Sequence, residues 1–346
     1  MQGVDSCCIF VSPNILMMKL FTTVEIPKKI MCLSYADRVL MFGSCFATEM
    51  GRRLEEAKFR CDVNPYGVLY NPLSIATAIR EIAAGKRYEA GELFLHEGCW
   101  HSSMHHGSFS SPCREEVLES INSRLEAAQR NLKEADCLML TWGSAYVYES
   151  KKDGRVVGNC HKLPEREFSR RRLQVEEIVK VYKALLEELL QTSPNLQLLF
   201  TVSPIRHVRD GLHENQLSKA VLLLAVEELQ RLFPDNLCYF PAYELVLDEL
   251  RDYRFFADDL VHPSQMAVEY VWQRFCEHCL SPEALKLMEQ VEEIRKALQH
   301  KPFRPESEAY QGFIRQIVLK IEQLTEKYPY LVLENERELC RTRLNK

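Results

Sequence analysis

The sequence predicts an α/β protein built on a parallel sheet of about five strands, with helices on both faces. Its strand-like segments are mostly continuous apolar runs, which is typical of parallel strands buried on both sides. Helical patterns of ten or more residues separate these runs, which indicates crossover connections between parallel strands. Beyond residue 280 only helical patterns remain, so we expect helices at the C-terminal end.

The first strand is an apolar run at 39–42 that ends at Gly43. A helix follows at once, because apolar residues recur on one face at Phe46, Met50, Leu54 and Ala57. A second strand at 59–63 leads into the loop NPYGVLYNP, where Pro and Gly fix the turns. Pro72 then begins another helix.

An irregular stretch at 85–113 separates this part of the chain from a long amphipathic helix at 114–135. The remaining strands are short apolar runs, and the remaining helices repeat apolar residues every three or four positions. In order, they are a strand at 137–142, a helix at 175–190, a strand at 196–202, a helix at 217–232, a strand at 237–240, and helices at 243–250 and 264–280.

We divide the chain into three parts. Residues 1–17 are interpreted as an extension that lacks the basic start and small-residue cleavage site of a signal peptide. Residues 18–280 form the α/β domain, and residues 281–346 form a helical appendage packed on that domain.

Composition excludes several classes of protein. The chain has 346 residues, of which 46% are hydrophobic, so it can bury a full core. Its net charge of −5 argues against a dedicated nucleic-acid binder. No segment approaches the ~20 apolar residues of a membrane span. The 13 cysteines are scattered and odd in number, which favours reduced thiols in a cytoplasmic protein.

Ser44 is the first candidate for chemistry. It stands between the first strand and its helix, where the first N–H groups have no partner within the helix. A serine hydroxyl at this point can attack a carbonyl while the N–H of Cys45 holds the oxyanion. The alternative is structural, since serine is a favoured helix N-cap. The Cys45 thiol is a weaker candidate nucleophile at the same place.

The segment Asp259-Leu260-Val261-His262-Pro263 is the second candidate. A serine nucleophile needs a base, and the base needs a carboxylate to orient it. Pro263 disfavours helical geometry at His262, so the imidazole should lie on a loop that Asp259 can reach. The alternative is a capping loop for the next helix, and Asp258 could replace Asp259 as the carboxylate.

These two sites together resemble the SGNH (GDSL-like) hydrolase superfamily, which carries its serine after the first strand and a D-x-x-H late in the domain. More closely, the sequence resembles the GSCFA family within that superfamily. The shared motifs are GSCFA at 43–47, NPYGVLYNP at 64–72, WHSSMHHGSFS at 100–110, TWGSAYVY at 141–148, GNCHKLP at 158–164, SPIRHVRDG at 203–211 and YFPAYELVLDELRDYRFFADDLVHPS at 239–264.

The resemblance implies a three-layer α/β/α fold of the flavodoxin-like kind and a set of roles. Ser44 would be the nucleophile, His262 the general base and Asp259 its orienting carboxylate. The N–H of Gly67 would help to hold the oxyanion. Superfamily members also use an asparagine in a Gly-x-Asn-Asp block, whereas this chain has Gly143-Ser144-Ala145-Tyr146. Asn159 or Ser144 would have to supply the missing donor.

Several other residues are expected to wall the substrate pocket. They are Asn64, Trp100, His105, His161 and His207. The cluster of His96, Cys99, His101, His105 and His106 has spacing that zinc can use, but we interpret it as part of the pocket. We also interpret Cys276 and Cys279 as helical residues without a second metal-binding pair. No metal and no cofactor is predicted.

The expected function is a cytoplasmic serine esterase that removes an O-acyl or O-acetyl group from a carbohydrate-like molecule. Its partner would be a small-molecule or saccharide ester, with neither nucleic acid nor membrane involved, and the oligomeric state stays open. Two alternatives remain at this point: an acyltransferase that uses the same acyl-serine, and a binding protein that keeps the fold without turnover.

Overall fold

The computed structural model describes residues 22–27, 30–300, 302–304 and 306–344. The expected extension at 1–17 lies outside the described residues. The strands are β1 (Arg38–Gly43), β2 (Arg60–Val63), β3 (Leu93–His96), β4 (Cys99–Ser102), β5 (Cys137–Trp142), β6 (Tyr146–Ser150), β7 (Phe168–Arg172), β8 (Gln197–Val202) and β9 (Leu237–Tyr239). The helices are α1 (Cys45–Glu56), α2 (Pro72–Ala83), α3 (Arg114–Lys133), α4 (Val175–Thr192), α5 (Leu212–Leu232), the single turn α6 (Ala242–Glu244), α7 (Gln265–Cys279), α8 (Pro282–Gln299), α9 (Glu308–Lys327) and α10 (Glu334–Leu344).

Five strands form one parallel sheet in the order β2-β1-β5-β8-β9. The predicted parallel α/β sheet of about five strands is therefore confirmed. Because all its strands run the same way, the loops after β1, β2, β5, β8 and β9 meet at one edge. Side chains that follow different strands in the sequence are brought together there.

Helices cover both faces of the sheet. Within β1, Leu40 and Phe42 belong to a core cluster with α2, α3, α4 and α5, whereas Val39 and Met41 belong to a second cluster with α1, α7 and the C-terminal helices. Successive residues of a strand point to opposite faces, so a run of apolar residues fills both layers. The fold is thus a three-layer α/β/α fold.

The C-terminal helices extend the second layer. Leu287, Val291 and Ile294 of α8 and Ile314 and Ile321 of α9 are buried in the same cluster as α1 and α7. Ser281 caps α8 and Ser307 caps α9 by accepting backbone hydrogen bonds, which explains where these helices begin.

Two antiparallel hairpins, β3–β4 and β6–β7, differ from the expected irregular and helical stretches. The run Arg170-Arg171-Arg172 reads from its charges as an exposed helix start, but it lies in β7. Each arginine there has a carboxylate partner, on Asp210, Glu177 and Glu214 respectively. Long-range ion pairs of this kind leave no periodic signal in the sequence.

Among the described residues, no helix is both long and apolar enough to cross a membrane.

Candidate active site

A cavity of about 550 Å³ opens at the carboxyl edge of the sheet. Its walls come from the segments after β1, β5 and β8, from the NPYGVLYNP loop and from the loop before α7. Ser44 and His262 both line it, together with Tyr70, Ser144 and His207. The position agrees with the general rule that ligands bind beyond the carboxyl ends of strands in open parallel sheets.

Ser44 is the N-cap of α1, and it is only 1% exposed. Its Oγ accepts the N–H of Phe46 at 3.3 Å. The N–H of Cys45 has no acceptor within the described part of the chain, as expected for the first residue of a helix. Cys45 also lines the cavity. The cap and the free N–H are compatible, so the structural interpretation of Ser44 does not exclude chemistry.

His262 and Asp259 form a tight pair on an exposed loop. Nδ1 of His262 lies 2.6 Å from Oδ2 of Asp259, and Oδ1 of Asp259 accepts the N–H groups of Val261 and His262. These hydrogen bonds lower the pKa of Asp259 to about 2. A carboxylate held in this way orients the ring and leaves Nε2 of His262, a residue of the cavity wall, without a hydrogen bond among the described residues.

The loop that carries the pair is bent back on itself. The N–H of Ala257 donates to the His262 carbonyl at 2.8 Å, and Leu260 adopts a φ of 55°. Ser264, rather than Asp259, caps α7 by accepting the N–H of Ala267. Asp259 is therefore not needed to begin the helix. No described residue makes a hydrogen bond with the Asp258 side chain, so the geometry favours Asp259 as the partner of His262.

Ser44 and His262 make no hydrogen bond with each other in this structure. The Ser44 hydroxyl donates instead to Oγ of Ser203 at 3.1 Å. Ser203 follows β8, is completely buried, and also accepts the N–H of Ile205. Catalytic hydrogen bonds are often long or misaligned without substrate, and a change of the Ser44 rotamer would redirect its hydroxyl.

Lys219 lies next to this serine pair and contacts the backbone of Ser203. It is 1% exposed, and its Nζ donates to the carbonyls of Gly143 at 2.7 Å and Ser203 at 2.6 Å. Burial lowers the pKa of Lys219 to about 7. One side chain thus ties the ends of β5 and β8 together. The neighbouring Ser218 ties α5 to the loop after β5, because its Oγ accepts the N–H of Ala145.

His207 lies beside Ser44 on the inner wall of the cavity. A Cβ at Gly143 would lie 3.4 Å from Nε2 of His207 and 3.5 Å from Cβ of Ser44, so both border the same small space. Burial, and then the nearby Lys219 and His262, lower the pKa of His207 to about 4. The backbone N–H of His207 is held by Oδ1 of Asn215, and its ring meets Tyr70 edge to face.

The model of the GSCFA family matches residues 38–275, which is more than half of the chain. The chain belongs to the GSCFA family. A second model, the C-terminal domain of GSCFA domain proteins, matches residues 291–346. Neither the curated proteins nor the solved structures contain a match to this chain.

The name-giving GSCFA motif places its serine and the adjacent N–H at the cavity. The other expected oxyanion donors differ in whether they line the cavity and in whether their N–H groups are free. The N–H of Gly67 already donates to the carbonyl of Asn64 at 2.7 Å, and Gly67 is absent from the cavity wall. A tight turn with a φ of 75° uses the Gly67 amide, so this structure does not support the oxyanion role expected for Gly67. Ser144 and Asn159 do line the cavity.

Ser144 and Asn159 offer unequal donors. The Ser144 hydroxyl is engaged with Oγ of Ser218 at 3.3 Å and accepts the N–H of Tyr146. Oδ1 of Asn159 accepts the N–H of His161, which leaves its amide nitrogen without an acceptor among the residues that the structure describes. Of the two, Asn159 has the free donor.

Four residues expected to bind substrate have structural roles instead. The Asn64 side chain accepts the N–H of Gly43 and donates to Thr48, which fastens the loop to β1. Trp100 packs on the first core cluster with Arg114 over its ring. These contacts use the polar atoms of Asn64 and one face of Trp100. Neither residue is part of the cavity wall.

His105 and His161 also lie outside the cavity wall. His105 is buried, stacks on Tyr66 at 4.2 Å between ring centroids, and bonds to Ser102; burial lowers its pKa to about 3. Nε2 of His161 bonds to the Ser102 carbonyl at 2.8 Å. Of the residues expected to bind substrate, His207 is the one found in the cavity wall.

The histidine-rich segment does not assemble a metal site within the described residues, where no group of three or more ligating side chains comes together. His101 is engaged instead by Ser110 and by the His96 carbonyl, and the His105 ring stacks on Tyr66.

The sequence interpretation assigned no role at the site to Ser203, Ser218, Lys219 or Tyr70. Lys219 could have been noticed in the sequence, because it is a charged residue among the apolar residues of α5, four positions before Leu223. Tyr70 accepts the N–H groups of both Gly143 and Ser144 through its carbonyl. Backbone contacts of that kind carry no side-chain signature.

Proposed function

We propose that the protein is a serine ester hydrolase, with Ser44 as nucleophile, His262 as general base and Asp259 as the carboxylate that orients the base. One observation carries the proposal: a serine at a helix N-terminus shares a cavity with an Asp-bound histidine. The free N–H of Cys45 next to that serine supplies a donor where negative charge develops.

The reaction would proceed in two steps. Oγ of Ser44 attacks the acyl carbon while Nε2 of His262 takes the hydroxyl proton, and that proton then passes to the departing alcohol. A water molecule next gives a proton to His262 and attacks the acyl carbon. As the bond between the acyl carbon and Oγ breaks, His262 returns that proton to Ser44, and the acid is released. Asp259 stays ionised throughout, as its lowered pKa requires.

We infer that the substrate is an O-acyl or O-acetyl ester of a carbohydrate-like molecule. Tyr70 lines the cavity and is exposed, and an aromatic face suits the apolar face of a sugar ring. The order of nucleophile and D-x-x-H also supports membership in the SGNH superfamily. The free thiols of the described cysteines support a cytoplasmic location.

A fluorophosphonate probe tests the proposal. We expect the wild type to be labelled at Ser44, with the adduct located by peptide mass spectrometry to distinguish Ser44 from Cys45. Ser44→Ala should abolish labelling, whereas the exposed control Ser120→Ala should not change it. An unlabelled wild type, or equal labelling of Ser44→Ala, would overturn the mechanism. Labelling without hydrolysis of short nitrophenyl esters would instead indicate acyl transfer.

A further inference from the structure

The site offers few oxyanion donors next to Ser44. The N–H of Cys45 is free, but the amide of Gly67 is used in a turn and Ala145 stands in the block where the superfamily is expected to place an asparagine. Asn159 has a free amide on the cavity wall, but no described contact ties it to Ser44. An oxyanion donor typically contributes 10²–10³-fold to the rate, so a further donor beside Ser44 would matter.

His207 has a nitrogen in the right place with nothing bound to it. Its Nε2 is sealed from solvent and lacks a hydrogen-bond partner among the described residues. Buried polar atoms are nearly always paired, so an unpaired one at a cavity wall points to a ligand atom that completes it. Glycine at 143 keeps this space open, because a Cβ there would press on His207, Ser44 and the Tyr70 carbonyl together.

We propose that His207 is a catalytic residue whose neutral imidazole donates from Nε2–H to the oxyanion that forms when Ser44 attacks the ester. This inference rests on the proposed serine mechanism. It gives the two histidines of the cavity separate roles, with His262 moving the proton and His207 holding the negative charge.

The surroundings of His207 suit a donor better than a base. The half-buried ring has no hydrogen-bonded carboxylate partner within the described residues, whereas Asp259 orients the ring of His262. Burial is the largest cause that disfavours a positive charge on His207; Lys219, His262 and Arg170 act in the same direction, and only Asp210 opposes them. A neutral imidazole that carries its proton on Nε2 can donate this N–H to a carbonyl oxygen on which negative charge develops.

The test compares three substitutions at this position. Glutamine places an amide near the position of Nε2, asparagine places one near Nδ1, and alanine removes the donor. We expect His207→Ala to lower kcat for a short nitrophenyl ester, and the rate of fluorophosphonate labelling, by about 10²–10³-fold with KM little changed. His207→Gln should be at least tenfold faster than His207→Ala, and His207→Asn should match the alanine variant.

The exposed His213 provides a matched control, and His213→Gln should behave as the wild type. A His207→Ala variant within tenfold of the wild type, or a His207→Gln variant no faster than alanine, overturns the donor role. If His207→Ala does not fold, the glutamine and asparagine variants still decide the question, since only glutamine should be active. An inert wild type overturns the serine mechanism itself, which separates the two failures.

Discussion

The wall of the cavity that carries Ser44 is buried and tied to the sheet, whereas the wall that carries His262 is an exposed loop. Ser44 is held by Phe46 and Ser203, and Lys219 joins the strand ends beneath it. The His262 side chain is 47% exposed and is held mainly by Asp259, which is 50% exposed. The nucleophile is therefore positioned by the fold, and the base by a local pair. Changes on the first wall should affect stability as well as activity, and changes on the second should affect activity alone.

The largest expected effect is on the exposed wall. Asp259→Asn should lower kcat by about 10³–10⁴-fold, because the amide no longer holds the His262 ring in the tautomer that accepts a proton at Nε2. Thermal unfolding should stay unchanged, since the pair is exposed. The neighbouring Asp258→Asn is the control and should retain wild-type kcat. Equal losses in both variants would contradict the assignment of Asp259.

The next effect is on the buried wall. Lys219→Met should lower the free energy of unfolding by about 2–4 kcal/mol, because it leaves the Gly143 and Ser203 carbonyls without a donor. The exposed Lys183→Met should have little effect. Denaturant titration measures both, and equal stability of the two variants would refute the structural role.

Lys219 also predicts a pH dependence. Its pKa is about 7 in the folded protein and about 10.4 when unfolded, so between these values the unfolded chain holds more protons. The contribution of Lys219 to the free energy of unfolding should therefore rise as the pH is raised from 7 to 10. Lys219→Met should lack this rise. An equal rise in the free energy of unfolding of the variant would show that Lys219 is not the source of this pH dependence.

A smaller effect is expected from the buried His105. Its pKa is about 3 when folded and about 6.5 when unfolded, so stability should fall as the pH drops below 6.5. At pH 5 this loss should reach about 2 kcal/mol relative to pH 7. His105→Phe should remove that part of the acid sensitivity, whereas His213→Phe should leave it. Unfolding free energies at the two pH values provide the measurement.

The smallest effect concerns the contact between Ser44 and Ser203. Ser203→Ala should lower kcat about five- to tenfold, since one hydrogen bond contributes roughly 1 kcal/mol to the position of the Ser44 hydroxyl. KM should not change, because Ser203 does not line the cavity. A raised kcat would show that the contact holds the hydroxyl away from His262.

Local features of the site could be predicted well from the sequence. Gly43 and Ser44 follow an apolar run and precede an amphipathic helix, so the turn and the cap follow from neighbouring residues. Asp259 and His262 are three positions apart, which places their pairing within reach of a single loop. The pocket residues were harder, since Asn64, Trp100, His105 and His161 are polar or aromatic for structural reasons.

By itself, the sequence determined the parallel sheet, the order of its strands along the chain and the two local motifs. Apolar periodicity and short-range spacing can be read directly from neighbouring residues. Only the tertiary structure decided that Ser203 and Lys219 lie beneath Ser44, that the Gly67 amide is used elsewhere, and that His207 borders the space left by Gly143. These contacts join residues far apart in the chain through backbone carbonyls and packed rings, whose partners are set by strand register and helix packing rather than by spacing.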